Sequence, residues 1–416
     1  QIDSSDCSFN AAYARREKGV PTGFYTTVFN DDENHALDAT GLADLTWTPD
    51  LGADRSALLR TYYTDYRYGG WYVYDDTGAG GPPDLLFRDR AIGQALGLDA
   101  QLAFDETLGG LLTVGSNARW NFVQDQKGWD ALYGTYYDEH SDSFEWGVFA
   151  QDEIALTQRT TLVAGGRFDR YESFGGRFTP RAALVFAADA CTSLKLLYGE
   201  AFRAPNASEL TYNVGLIASA PELEPELTTS VEAVAEHLFE NGWRASCSLF
   251  HYEIDDLIVR VEDPVTFELL YRNADAFKAD GLELELERRF AGARRLRLSA
   301  ALQEVEDLGS GERAANSPRE VLQLVGETPF FTPQLLAAVE AVYVGERRTL
   351  AGDSADAYVL TNLALRAREL APGVELALIA RNVLDQAYSD PVGPELVQDT
   401  LQQDGFSLAL SLSVRL

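Results

Sequence analysis

The sequence predicts an all-β protein: a large antiparallel transmembrane β-barrel of outer-membrane type. Three observations predict it. Apolar residues recur with a period of two, long and short connections alternate, and aromatic residues crowd the ends of strands.

The period comes first. Near the C-terminus Phe406, Leu408, Leu410, Leu412, Val414 and Leu416 alternate with Ser407, Ala409, Ser411, Ser413 and Arg415. Leu282, Leu284 and Leu286 alternate with Glu283, Glu285 and Glu287, and Leu296, Leu298, Ala300 and Leu302 with Arg297, Ser299, Ala301 and Gln303. Successive side chains of a strand point to opposite faces, so each segment has one oily face and one polar face. A soluble sandwich turns the oily face inward. A membrane barrel turns it outward to lipid and lines a wet lumen with the other.

Connection lengths separate these two. About eighteen strands are read, at 5–16, 39–47, 56–68, 91–103, 109–121, 143–156, 161–170, 177–186, 192–201, 228–238, 243–254, 277–289, 294–303, 320–327, 335–345, 357–368, 374–383 and 405–416. The gaps 17–38, 69–90, 122–142, 202–227, 255–276, 304–319, 346–356 and 384–404 are long, and short gaps fall between them. Residues 171–176 break the rule, being short where a long gap is due. Outer-membrane barrels alternate this way because short turns face the periplasm and long loops face outside. Sandwiches have no reason to.

Aromatics come third. Tyr62, Tyr63, Tyr66, Tyr68, Trp71, Tyr72 and Tyr74 crowd one strand end, and Tyr133, Tyr136, Tyr137 and Trp146 another. Amphipathic rings are stable at headgroup level and form girdles there, although Tyr also favours any strand.

Composition narrows the function. With 34 basic and 65 acidic residues the formal charge is −31, which excludes a general nucleic-acid binder. The 3 cysteines, Cys7, Cys191 and Cys247, have neither the spacing nor the even number of a disulfide framework or zinc site. His35, His140, His237 and His251 are scattered, and no nucleophile, metalloprotease or phosphate-loop motif appears, so neither an enzyme nor a bound cofactor is expected. Acidic runs such as Asp31-Asp32-Glu33 and Asp138-Glu139 match no calcium-loop spacing and read as solvated charge. No apolar run reaches the length of a membrane helix. The chain starts at Gln1 and contains no Met, so it is expected to be processed or excised from something longer.

Local motifs then add a resemblance. Leu197-Tyr198-Gly199 followed by Ala201-Phe202-Arg203-Ala204-Pro205-Asn206, with Glu209-Leu210, resembles a stretch characteristic of TonB-dependent outer-membrane receptors. Gly165-Gly166-Arg167-Phe168-Asp169, Pro180-Arg181-Ala182-Ala183-Leu184, Leu223-Glu224-Pro225-Glu226, Tyr271-Arg272-Asn273 with Gly281-Leu282-Glu283, and Arg381-Asn382-Val383-Leu384-Asp385 with Tyr388 are similar to further family motifs, in the family's order. The resemblance implies a barrel of 22 strands, of which about eighteen are visible across 1–416, in the outer membrane of a Gram-negative bacterium. It implies a monomer in outer-membrane lipid, energised through TonB by a plug domain not seen in these residues. It implies uptake of a scarce bulky nutrient such as a ferric siderophore, haem, cobalamin or glycan. A passive plug-less pore and a soluble secreted all-β binding protein are the alternatives.

Candidate ligand contacts are the aromatics of the long gaps: Trp71, Tyr74, Trp129, Tyr133, Tyr137 and Tyr212. Rings offer contact area at little entropic cost, though the same rings could be girdle or loop packing. Arg203, Pro205, Asn206, Asn382 and Asp385 read as fold markers that end strands and shape loops. Glu283, Glu285 and Glu287 are expected on the lumen face, opposite Arg297, Arg366 and Arg381.

Overall fold

A computed structural model describes residues 2–3, 6–107, 110–211, 217–218, 222–262 and 269–415. Eighteen long strands occur among the described residues: β1 (Cys7–Gly19), β2 (His35–Trp47), β3 (Arg55–Tyr74), β4 (Leu85–Thr107), β5 (Gly110–Trp129), β6 (Thr135–Thr157), β7 (Thr160–Tyr171), β8 (Gly175–Ala187), β9 (Thr192–Arg203), β10 (Glu226–Leu238), β11 (Trp243–Glu262), β12 (Leu269–Phe290), β13 (Arg294–Asp307), β14 (Glu320–Phe330), β15 (Thr332–Val344), β16 (Tyr358–Ala371), β17 (Val374–Arg381) and β18 (Ser407–Val414). Each coincides with one read from the sequence. One short α-helix, α1 (Ala207–Thr211), and two 3-10 turns, Phe24–Thr26 and Thr77–Ala79, are described, and no described helix is long and apolar enough to cross a membrane. The fold is a large antiparallel barrel of outer-membrane type.

The chain divides into two units, described separately below. Unit 1 comprises Gln1–Leu184, Tyr198–Thr229 and Ile254–Ala276; unit 2 comprises Val185–Leu197, Ser230–Glu253 and Phe277–Leu416.

In unit 1 the pairing registers align side chains into rows across β3, β4, β5 and β6. One row is Leu59, Ala100, Ser116 and Val148; the next is Thr61, Leu98, Ala118 and Trp146; the third is Tyr63, Leu96, Trp120 and Phe144. These apolar rows are exposed rather than packed in a core: Leu98 keeps 47% and Trp120 49% of its surface. That is the lipid face. The fourth row begins with Asp65, whose carboxylate accepts a 2.7 Å hydrogen bond from Gln94, so the oily band ends at the aromatic row. The opposite face is charged. Arg60 lies 3.6 Å from Asp44 and 3.7 Å from Asp99, and Arg167 Nε donates to Asp169 at 2.7 Å.

Unit 2 repeats the arrangement. Leu284, Ala300, Leu322, Tyr343 and Val359 form one outward row, and Ala337, Leu365, Leu378 and Leu410 another. On the other face Glu285 pairs with Arg297 at 2.6 Å, as the alternation predicted, and Glu287 with Arg289 and Arg295 at 2.7 and 2.8 Å. Arg366 departs from the expectation: it pairs with Glu375 across its own hairpin, at 3.2 Å. Arg381 sits opposite Ser407.

The connections correct the sequence reading in one respect. Six of the eight long gaps are shorter than the pattern implied, because strands run on beyond the oily band, whereas 346–356 and 384–404 widen slightly to 345–357 and 382–406. The gap 122–142 shrinks to a turn at 130–134, and the gap 69–90 to 75–84. From Asp65 to Tyr74, β3 continues for about 30 Å at the usual rise of a strand. This part no longer faces lipid, so its apolar alternation fades while the backbone ladder persists. The alternation of long and short connections survives, and the short 172–174 turn is again the exception.

Leu410 keeps 68% of its surface on the outward face. Leu410→Arg is expected to cost about 2–4 kcal/mol if the site lies near the bilayer midplane, whereas Ser411→Arg on the lumen face is expected to be near neutral. Denaturant titration of refolding into lipid vesicles measures both.

Candidate functional site

The long-connection end of unit 1 gathers most of the aromatic and charged candidates. Its first connection, residues 20–34, folds back on β3. Asn34 is buried; its Nδ2 donates to Val28 O at 2.7 Å and its Oδ1 accepts from Val73 N at 2.7 Å. Val28 N donates to Val73 O at 2.8 Å, and Thr27 bonds back to Phe24 O through both N–H and hydroxyl. The Phe24 ring meets the edge of Tyr72, centroids 5.0 Å apart. The base is therefore fixed by several hydrogen bonds, each worth roughly 0.5–1.5 kcal/mol net.

The tip differs. Gly23, Tyr25 and Thr26 have φ of 66°, 48° and 66°. For Tyr25 and Thr26 this left-handed backbone costs roughly 1–2 kcal/mol each. The strain carries Tyr25 to Arg260 of β11, whose guanidinium lies 5.0 Å from the ring centroid. Such a contact contributes roughly 0.5–2 kcal/mol. The Tyr25 ring also packs on Phe24, centroids 5.3 Å apart, for roughly another 0.5–1.5 kcal/mol, so only the two contacts together approach the strain of the two residues.

A second cluster caps the β5–β6 hairpin. Asp130 accepts from Leu132 N at 2.7 Å and Tyr133 N at 2.6 Å, and Tyr136 OH donates to its other oxygen. Burial works against the charged Asp130 carboxylate, but the donors outweigh it and hold the group below the usual carboxylate range. Tyr133 reaches across to Asp76 at 2.6 Å, and that hydrogen bond pushes its phenol up. Gln126 of β5 donates to Thr211 of α1 at 3.3 Å.

A third cluster centres on Arg203, at the end of β9. Its Nε and Nη2 grip Glu226 at 2.6 Å each, and Nη1 and Nη2 grip Glu209 at 2.9 and 3.1 Å. Glu226 also accepts from Ile258 N at 2.9 Å. Asn206 and Glu209 form a reciprocal capping box at the start of α1, each side chain accepting the other's backbone N–H at 2.9 Å. Asn273 ties β12 to Glu224, donating to its O at 2.8 Å and accepting from its N at 2.9 Å.

The sequence-derived ligand candidates divide accordingly. Trp71 stacks on His35, centroids 4.4 Å apart. Tyr74 packs near Phe87, and Tyr137 is buried with its hydroxyl donating to Asp89 at 2.7 Å. Trp129 ends β5 and is half-buried. Tyr133 is the most open, at 54% exposed. Tyr212 lies outside the described residues. The fold markers act at strand ends. Arg203, Pro205 and Asn206 shape the 204–225 connection. In unit 2, Asn382 (φ 47°) accepts from Gln386 N at 2.9 Å, and Asp385 (φ 50°) accepts from Phe406 N at 2.8 Å. Sequence reasoning missed Asn34, Tyr25 and Arg260, whose partners are remote in the chain. Sequence reasoning also missed the cap of α1, for which the Asn206-x-x-Glu209 spacing was the available signal.

Comparison with known proteins decides the family. The family described as TonB dependent receptor-like, beta-barrel matches residues 3–383. The chain belongs to that family. Its members are outer-membrane receptors rather than enzymes, which places the protein in the outer membrane of a Gram-negative bacterium. An iron-regulated outer membrane virulence protein of Vibrio cholerae serotype O1 is 31% identical over 131 residues, 30% of this chain and 20% of that protein. The ferric enterobactin receptor of Pseudomonas aeruginosa superposes with a TM-score of 0.78 at 16% identity, over 99% of this chain and 67% of that one. The ferric-catecholate import receptor Fiu of E. coli gives 0.75 at 12% identity, over 98% and 72%. The two structural likenesses show the fold. The match to the curated relative spans about a fifth of that protein's length.

Two outcomes are expected. Asn34→Ala leaves the Val73 N–H without its acceptor, at a cost of about 1–3 kcal/mol, and should raise amide exchange at Val28 and Val73 together. Because the folded-state pKa of Asp130 is depressed, its contribution is present above the ordinary aspartate value near ~3.9 and lost as pH falls through the lower folded value. Protection of the Leu132 and Tyr133 amides should fall over that acid window, and Asp130→Asn should abolish the dependence.

Proposed function

We propose that this chain is the barrel of a receptor for TonB-energised uptake of a scarce, bulky nutrient, with a ferric siderophore as the first candidate. The observation that carries the reading is the family match over residues 3–383, on a barrel whose inner face is charged. A charged wall keeps the lumen wet, so a polar solute can pass without entering lipid. The iron-regulated Vibrio relative and the enterobactin and catecholate receptors among the structural relatives favour an iron chelate. Ligand capture falls to the long connections of unit 1, where Tyr133 and Tyr25 are exposed and Arg260 is half-buried. Trp71, Tyr74 and Tyr137 serve chiefly as the packing that holds those connections. In the family's scheme TonB acts through a plug domain, and the barrel works as a monomer in outer-membrane lipid.

Cells depending on the protein for iron, carrying it with whatever else its gene encodes, should accumulate labelled ferric siderophore, and deletion of TonB should abolish this. Uptake that persists without TonB would favour a passive pore. Replacing the turn residues 130–134 by a Gly/Ser linker, which removes Tyr133 but leaves β5 and β6 paired, should lower binding about tenfold or more, while heat-modifiable gel migration stays normal, because removed aromatic contacts carry binding energy.

A further inference from the structure

The connection between β1 and β2 does something the transport reading does not require. Tyr25 contacts Arg260 of β11, while β1 and β2 pair with each other and β2 with β3. Residues 20–34 therefore bridge from their own wall to a strand that is not their neighbour. Tyr271 of β12 lies within electrostatic range of both Tyr25 and Arg260. The base of the bridge is held by buried Asn34 and Thr27 and by the Val28–Val73 bond. Among the described residues the tip is held by the Arg260 guanidinium over the Tyr25 ring and by packing of that ring on Phe24, and two consecutive non-glycine residues adopt left-handed backbone to make the reach.

We propose that Tyr25 is a releasable latch: closed on Arg260 it fixes residues 20–34 across the long-connection end of unit 1, and relaxation of the Tyr25–Thr26 backbone withdraws the ring and frees the guanidinium. A base fixed by buried hydrogen bonds, with a strained tip held only by ring contacts among the described residues, is the arrangement of a two-state strap. The strain of the two residues opposes the Arg260 and Phe24 ring contacts taken together by a comparable amount, so neither state dominates strongly, and a solute that competes for Arg260 tips the balance. No hydrogen bond from the Tyr25 hydroxyl is needed to close it; the ring face suffices. The inference rests on the transport reading only for its purpose.

Amide hydrogen exchange on the whole chain in detergent, without added solute, tests it and leaves the transport reading untouched by failure. Tyr25→Ala and Arg260→Gln should each speed exchange across residues 24–27 by roughly fivefold or more, with residues 31–36 unchanged. Tyr25→Phe should behave as the parent. Thr26→Asn, which tolerates left-handed backbone, should slow exchange at the tip by favouring the closed state. Tyr25 lies on an exposed tip, so its variants test the latch even if Arg260→Gln folds poorly. Unchanged tip exchange in Tyr25→Ala, equal opening in Tyr25→Phe, or faster exchange in Thr26→Asn would each overturn the latch.

Discussion

Lipid offers no hydrogen bonds, and this constraint organises the molecule. Every backbone N–H and C=O at bilayer depth must find a partner in the chain itself, which strands satisfy only through their neighbours. The long antiparallel registers, such as the uninterrupted run from Phe277 opposite Asp307 to Phe290 opposite Arg294, are that requirement met. Once the ladder exists, the period of two is forced, and with it a face for lipid and a face for water. The ion pairs of the lumen wall follow from the second face. Arg297 and Glu285, or Arg167 and Asp169, neutralise charge where it would otherwise be crowded in a chain of formal charge −31.

The end away from the oily band obeys different rules. Water is available there, so backbone groups need not be paired strand to strand, and side chains take over the closing of turns. Asp130 folds the β5–β6 tip, Asn34 ties residues 20–34 to β3, and Arg203 joins α1 to β10. Each is a polar group whose partners are fixed, which gives the described parts of these three connections a defined structure.

This division explains what could be read in advance. All eighteen strands were legible because lipid imposes a strict alternation, and Leu284 or Leu410 carry that signal residue by residue. Strand extensions beyond Asp65 were not, since lipid no longer dictates one apolar face there: residues 20–34 fold over this part of β3 and bury Tyr72 and Val73 instead. The lumen pairing was half legible. Glu285 and Arg297 face each other on adjacent strands, but Arg366 found Glu375 across the tight β16–β17 hairpin, a closer partner than any glutamate of β12. Aromatic residues were noticed by density, which does not say that Tyr137 turns in to Asp89 while Tyr133 turns out to Asp76. Tyr25 and Arg260 are separated by most of the chain, and no local pattern links them.

The overhang of β3 through β6 carries a consequence for how a neighbour would meet this protein. Ten residues of β3, from Asp65 to Tyr74, stand clear of the oily band as a paired ladder. A particle approaching from outside, whether an antibody, a protease or a phage, would first touch a stiff β collar rather than a mobile fringe. At the described turn 130–134, between β5 and β6, the backbone is tied down by the Asp130 carboxylate. A surface built this way resists proteolysis in the open environment while presenting the same shape to every visitor.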